Sequence, residues 1–215
     1  MKVIRHTDAD FSRQLRAMAA ASSLFDPEIE QRTREIINAV RDRGDEALLE
    51  FTERFDRAKL TADRLAVTRA ELMTASLRAD PSLRAAVAEA DRNIAAFARK
   101  SLRRDWESRN SHGARTGERF DPFQRVGVYI PGGKAPLAST ALMTATLARV
   151  AGCREIVVCT PCGPDGSINA ALLFAARAAG ATEIYRVGGA QAIAAMALGT
   201  STIRPVQKIF GPGND

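Results

Sequence analysis

The sequence predicts an α/β fold in which a helical amino-terminal region, residues 1–120, leads into a parallel sheet with helices on both faces, residues 121–215. Three observations carry this reading. Of the 15 glycines only Gly44, Gly113 and Gly117 precede residue 121, whereas most charged residues do, so two kinds of structure are joined there. Beyond that point short apolar runs alternate with helical stretches, the pattern of strands buried on both sides and connected by right-handed crossovers. Each apolar run also stops at a Gly or Pro turn.

The helical region announces itself by its start signals. Asp26-Pro27-Glu28 offers an N-cap, a proline at the first helical position and an early acid, and Ile29, Thr33, Ile36, Ile37 and Val40 follow at helical spacing before Gly44. Thr68-Arg69-Ala70-Glu71 spells a capping box. Asp80-Pro81 opens another helix, with Leu83, Val87, Ala90, Ile94 and Phe97 on one face. These helices are expected to pack on one another and on a partner. The stretch from Asp105 to Gly117 reads as a loop, with Trp106 as a packing anchor.

The sheet region follows as strand 125–130, helix 139–150, strand 155–160, helix 167–179, strand 183–187, helix 190–198 and a short last strand 208–210. A sheet of this kind is Rossmann-like, and with so few strands it is incomplete. The chain ends soon after the short fourth strand, so the domain is expected to be truncated at its carboxyl end.

Composition excludes several classes of function. Acids and bases are interleaved, as in Arg41-Asp42-Arg43 and Glu53-Arg54-Phe55-Asp56-Arg57, so the formal net charge of +6 is expected to mark solvated helix faces and no nucleic-acid partner. The uncharged stretch from Val187 to Ile203 contains Gly, Gln, Thr and Ser, a poor membrane span, and Met1 to Asp10 carries charges where an export signal is apolar. No membrane is expected, and the cytoplasm is the default compartment. Cys159-Thr160-Pro161-Cys162 lacks both a helix-opening context and further ligands, so Cys153, Cys159 and Cys162 read as incidental strand-end thiols. His6 and His112 have no companions at ligand spacing and read as surface residues, leaving no metal site in this chain.

Ligands of open parallel sheets bind beyond the carboxyl ends of the strands, where helix N-termini present unpaired N–H groups. All the strand ends carry turn residues here: Pro131-Gly132-Gly133, Thr160-Pro161, Gly188-Gly189 and Gly211-Pro212-Gly213. The G-x-G-x-x-G fingerprint is absent, and no acid ends the second strand to hold a ribose 2′-hydroxyl. A dinucleotide must be gripped in another way, and the polar candidates at the strand ends are Tyr129, Gln191 and Asn214.

At these residues a family likeness becomes visible. The runs Arg125 to Gly133, Ala151-Gly152, Val187 to Ala195 and Lys208 to Asn214, with Arg41 to Asp45 and Phe51 to Asp56 in the helical region, together resemble the amino-terminal half of the histidinol dehydrogenase family. The resemblance implies an NAD-dependent oxidation of L-histidinol to L-histidine through L-histidinal, the last steps of histidine biosynthesis. It implies Tyr129, Gln191 and Asn214 as cofactor-binding positions, and a zinc ion in the complete homodimeric enzyme. The family's zinc ligands, substrate contacts and catalytic Glu–His pair follow the Gly-Pro-Gly-Asn segment, so no catalytic residue is expected in this chain, which needs a second copy or a missing carboxyl-terminal half. Leu147 departs from the family, which commonly has proline there, as does Asp215, where the family normally continues with an apolar strand residue, so the last strand is expected to be cut. A related dehydrogenase of another amino or sulfonated alcohol is the alternative, as is a non-catalytic NAD-binding or assembly module.

Overall fold

A parallel sheet organises the protein, seen here in a computed structural model that describes residues 4–20, 26–132 and 136–213, without the side chains of 19 and 20. Its strands are β3 (Arg125–Tyr129), β4 (Glu155–Thr160), β5 (Glu183–Arg186) and β6 (Lys208–Phe210), after a separate antiparallel hairpin of β1 (Trp106–Arg109) and β2 (Arg115–Glu118). The order is β5-β4-β3-β6, with Val128 opposite Val158 and Val158 opposite Ile184 in register, and Gly127 opposite Ile209. Both faces of β3 and β4 are buried, the reason these strands read as unbroken apolar runs.

The crossovers are α6 (Ala138–Ala151), α7 (Ala170–Ala179) and α8 (Gly189–Leu198). Helices α6 and α7 cover one face, where Val126, Val128, Ile156, Val158 and Ile184 meet Ala141, Leu142, Leu173 and Ala176. Helix α8 covers the other, where Val157, Cys159, Tyr185 and Val187 meet Ala192, Ala195 and Met196. Helix α7 starts at Ala170, three residues later than the sequence pattern predicts, because Asp165 accepts from the Ser167 N–H and hydroxyl in a turn and Asn169 caps the helix instead.

All but the first of the amino-terminal helices pack around this sheet, on both sides. In chain order these helices are α1 (Phe11–Ala20), α2 (Pro27–Arg43), α3 (Asp45–Asp56), α4 (Arg69–Arg78) and α5 (Pro81–Ser101). Val40 of α2 and Leu48 and Phe51 of α3 join the α8 side, and Ala75 of α4 and Val87 of α5 join the α6–α7 side. Asp26 caps α2 as predicted, Thr68 and Glu71 complete the capping box of α4, and Asp80 caps α5. Phe97 departs from the expected core face: it is 74% exposed, and its neighbour Ala98 is buried in its stead. The stretch expected as a loop is the β1–β2 hairpin. Trp106 within it is no buried anchor, being half exposed with its indole N–H donating to Glu118 Oε2 at 2.9 Å.

An ion-pair network locks the amino ends of three strands. Arg125, nearly buried, donates to both carboxylate oxygens of Glu183 (2.6 and 2.8 Å) and to Glu155, while Arg204 reaches Glu155 at 2.7 Å. The opposite, carboxyl ends are thereby left as the working end of the sheet.

Candidate functional site

The chain runs outward from β3 to β4 to β5, then returns through α8 to place β6 on the other flank of β3. Such a reversal, beyond the carboxyl ends of β3 and β6, is where open α/β sheets bind their ligands. Tyr129 ends β3 at this point, and Gly211, just past β6, lies against the Tyr129 carbonyl. The turns after β4 and β5 close on each other as well: a Cβ added at Gly188 would stand 2.6 Å from Pro161.

Tyr129 faces α8, and its hydroxyl accepts a 3.0 Å hydrogen bond from the backbone N–H of Gly189, the first residue of that helix. Gly189 sits at φ +61°, in the region that favours glycine, and the space its missing side chain would occupy lies 2.6 Å from Gln191 Oε1. Gln191 is 1% exposed, yet neither its Oε1 nor its Nε2 has a hydrogen-bond partner. Leaving a buried amide unmet costs about 1–3 kcal/mol per group, so its persistence calls for an explanation. A ligand placing polar groups at the start of α8 provides one.

Of the residues singled out in the sequence, Tyr129 and Gln191 are therefore brought together around Gly189. Asn214 and Gly133 lie outside the described residues.

The structure adds two residues that sequence reasoning gave no role. Thr52 and Asp56, one turn apart on α3, share a helix face, and Thr52 Oγ1 and Asp56 Oδ2 are both buried without a partner. Among the described residues, Thr52, Asp56 and Gln191 are the ones whose buried side-chain oxygens or nitrogens lack a partner, and α3 and α8 pack against each other. Burial pushes the Asp56 carboxyl above its ordinary range, with the backbone of Cys162 opposing the effect. Burial also raises the Tyr129 phenol, opposed by the Gly189 N–H and reinforced by the charge of Asp56. Asp56 thus stands within electrostatic reach of both Tyr129 and the turn after β4. The only signal for it in the sequence was its place at the end of the Phe51–Asp56 run.

Neither thiol of Cys159-Thr160-Pro161-Cys162 is prepared for chemistry. Burial pushes Cys159 up to about 12 and Cys162 up to about 11, where Asp56 adds to the effect. Nucleophilic and redox thiols need the opposite shift. Among the described residues no group of three or more His, Cys, Asp or Glu is arranged to hold a metal ion, and no helix is long and apolar enough to cross a membrane. A concavity of about 680 Å³ lies away from these residues, along α5 and α6, and is lined mainly by apolar side chains such as Phe97, Phe120, Phe123, Met143 and Leu147.

Comparison with known proteins settles what kind of chain bears this site. The family profile for histidinol dehydrogenase matches residues 20–215. The chain belongs to the histidinol dehydrogenase family. It is 50% identical over 190 residues to the histidinol dehydrogenase of Symbiobacterium thermophilum, covering 88% of this chain and 43% of that protein. Against the histidinol dehydrogenase of Gluconobacter oxydans it is 41% identical over 214 residues, 100% of this chain and 50% of the relative. The crystal structure of histidinol dehydrogenase from Elizabethkingia anophelis superposes with a TM-score of 0.82 at 36% identity, covering 87% of this chain and 43% of that one. The chain spans about half the length of the histidinol dehydrogenases it matches. The α/β architecture expected from the sequence is the one this family member shows.

Proposed function

We propose that this chain supplies the NAD seat of a histidinol dehydrogenase, which oxidises L-histidinol through L-histidinal to L-histidine. The observation that carries the reading is the buried Gln191 amide, unpartnered on both atoms, beside Gly189 at the start of α8 where the Tyr129 hydroxyl also arrives. Tyr129 and Gln191, together with Asn214, would hold and orient the dinucleotide, and the first turn of α8 would face its pyrophosphate. Bound NAD supplies the hydride acceptor. The work of this chain is then positional: Tyr129 steadies the Gly189 N–H, and Gln191 offers an amide donor and acceptor already stripped of water.

The donor set of the described residues does not fit a zinc ion, and no step assigned to this chain passes through one. The zinc ligands and the catalytic Glu–His pair belong, in this reading, to the part of the family's length that the chain does not span. The partner is a second copy of the chain or that remaining half, residues 1–120 act as the packing and dimerisation region, residues 121–215 form the NAD-binding domain, and the setting is the cytoplasm. The exposed Phe97, Met143 and Leu147 support a partner surface.

Calorimetric titration with NAD, followed by a histidinol oxidation assay, tests the proposal. The expected result is NAD binding that Gln191→Ala weakens, no turnover by the chain alone, and turnover on adding the carboxyl-terminal half of a relative. Absence of NAD binding overturns it.

A further inference from the structure

A Rossmann-type sheet selects its nucleotide at the end of its second strand, where a carboxylate accepts hydrogen bonds from the adenosine ribose. In the strand order β5-β4-β3-β6, β3 occupies the first-strand place and β4 the second. Strand β4 ends at Thr160, and Pro161 and Cys162 follow, so its own sequence supplies no acid.

Helix α3 brings one to that place from elsewhere in the chain. Asp56 is its last residue, Leu48 and Phe51 of the same helix share a core with Cys162, two residues beyond β4, and the charge of Asp56 reaches that thiol. The Asp56 Oδ2 is buried and has no partner. Thr52, one turn earlier on the same face, also buries a hydroxyl oxygen without a partner, and the unmet Gln191 amide lies on the helix against which α3 packs. Among the described residues these are the buried side-chain polar atoms that lack a partner. Arg186, the cation whose field reaches Cys162, is fully engaged by Glu71 and by the carbonyls of Arg64, Ala66 and Gly166, so it is not free to receive a phosphate.

We infer that Asp56 is the specificity-determining carboxylate of the dinucleotide seat, accepting a hydrogen bond from the 2′-hydroxyl of the adenosine ribose and excluding the 2′-phosphate of NADP. The assignment rests on the strand ends being an NAD seat. It puts the ribose-reading acid on a helix of the amino-terminal region, so that this region completes the site as well as covering the sheet. A carboxylate held in low dielectric repels a phosphate far more strongly than it would in water.

Calorimetry on the full 215-residue chain, with NAD, NADP and nicotinamide 2′-deoxyadenine dinucleotide as probes, tests the inference. The unmodified chain should prefer NAD over NADP by about tenfold or more and bind the 2′-deoxy compound about tenfold more weakly than NAD. Asp56→Asn, which keeps size and removes charge, should weaken NAD and leave NADP unchanged or tighter, collapsing the preference. An unaltered NAD to NADP ratio in D56N overturns the assignment while leaving the seat standing. So does equal affinity of the unmodified chain for NAD and its 2′-deoxy analogue, a readout that needs no variant to fold. Failure to bind any of the three probes overturns the seat and the assignment together.

Discussion

Tyr129 and Gly189, 60 residues apart in sequence, are joined by a 3.0 Å hydrogen bond in which the Gly189 N–H donates to the phenolic oxygen. It ties the end of β3 to the start of α8. Tyr129→Phe removes the acceptor and leaves the helix-start N–H unmet. The expected loss is about 1 kcal/mol of folding stability and about fivefold in NAD affinity, read by urea denaturation and calorimetry.

Gly189→Ala is expected to do more damage. An alanine there must adopt φ +61° and push its methyl into Gln191 Oε1, 2.6 Å away. Destabilisation of about 1–3 kcal/mol follows from the backbone strain. Nucleotide affinity should fall further than stability does, because the displaced group is the Gln191 amide itself.

Acid stability should follow Glu183. Hydrogen bonds from Arg125, above all, hold its carboxyl down to about 2, with Tyr185 adding to the effect and burial opposing it. The folded value is depressed, so its contribution is complete above the ordinary value of about 4.3 and is lost as the pH falls from there to about 2. Glu155, lowered chiefly by its hydrogen bond from Arg125, acts in the same direction. Thermal melts at stepped pH should show the midpoint dropping across this window, and Glu183→Gln should flatten the drop.

Arg186 is 3% exposed and saturated, donating to Gly166 O at 2.7 Å, Arg64 O at 3.0 Å and Ala66 O at 2.8 Å, and pairing with Glu71. Arg186→Met strands these acceptors and the Glu71 charge. A loss of about 3–5 kcal/mol is expected in chemical denaturation. Arg186→Lys should recover only part, since an ammonium cannot reproduce the planar fork of donors.

The apolar concavity predicts association. Phe97, Met143 and Leu147 are 74, 61 and 47% exposed, more than isolated surface apolar residues require. Sedimentation velocity should show the chain self-associating with rising concentration. The pair Phe97→Ser with Leu147→Gln should shift it toward monomer without moving the melting midpoint by more than a few degrees.

Much of this fold was readable from residue types because local and global signals agree. The ends of β4 and β6 fall where the apolar runs end, and Asp26, Thr68 and Asp80 cap the helices their side chains announce. The β1–β2 hairpin escaped notice because all eight of its strand residues are exposed, so no buried face imposes the alternation by which a strand is recognised. Tyr129 and Gln191 were visible as polar residues at strand ends. Asp56 was not, since its importance depends on where α3 comes to rest, and no pattern within Phe51–Asp56 encodes the neighbourhood of Cys162.

Residues 65–67 run antiparallel to the outer side of β5: Ala66 bridges Tyr185, the Val67 N–H donates to Ile184 O at 2.8 Å, and the Arg186 N–H donates to Leu65 O at 2.8 Å. That flank is sealed by the polypeptide itself. Lateral extension of the sheet is therefore polarised, and a strand joining it, whether from this polypeptide or another, must enter beside β6, on the flank where Gly211 meets Tyr129.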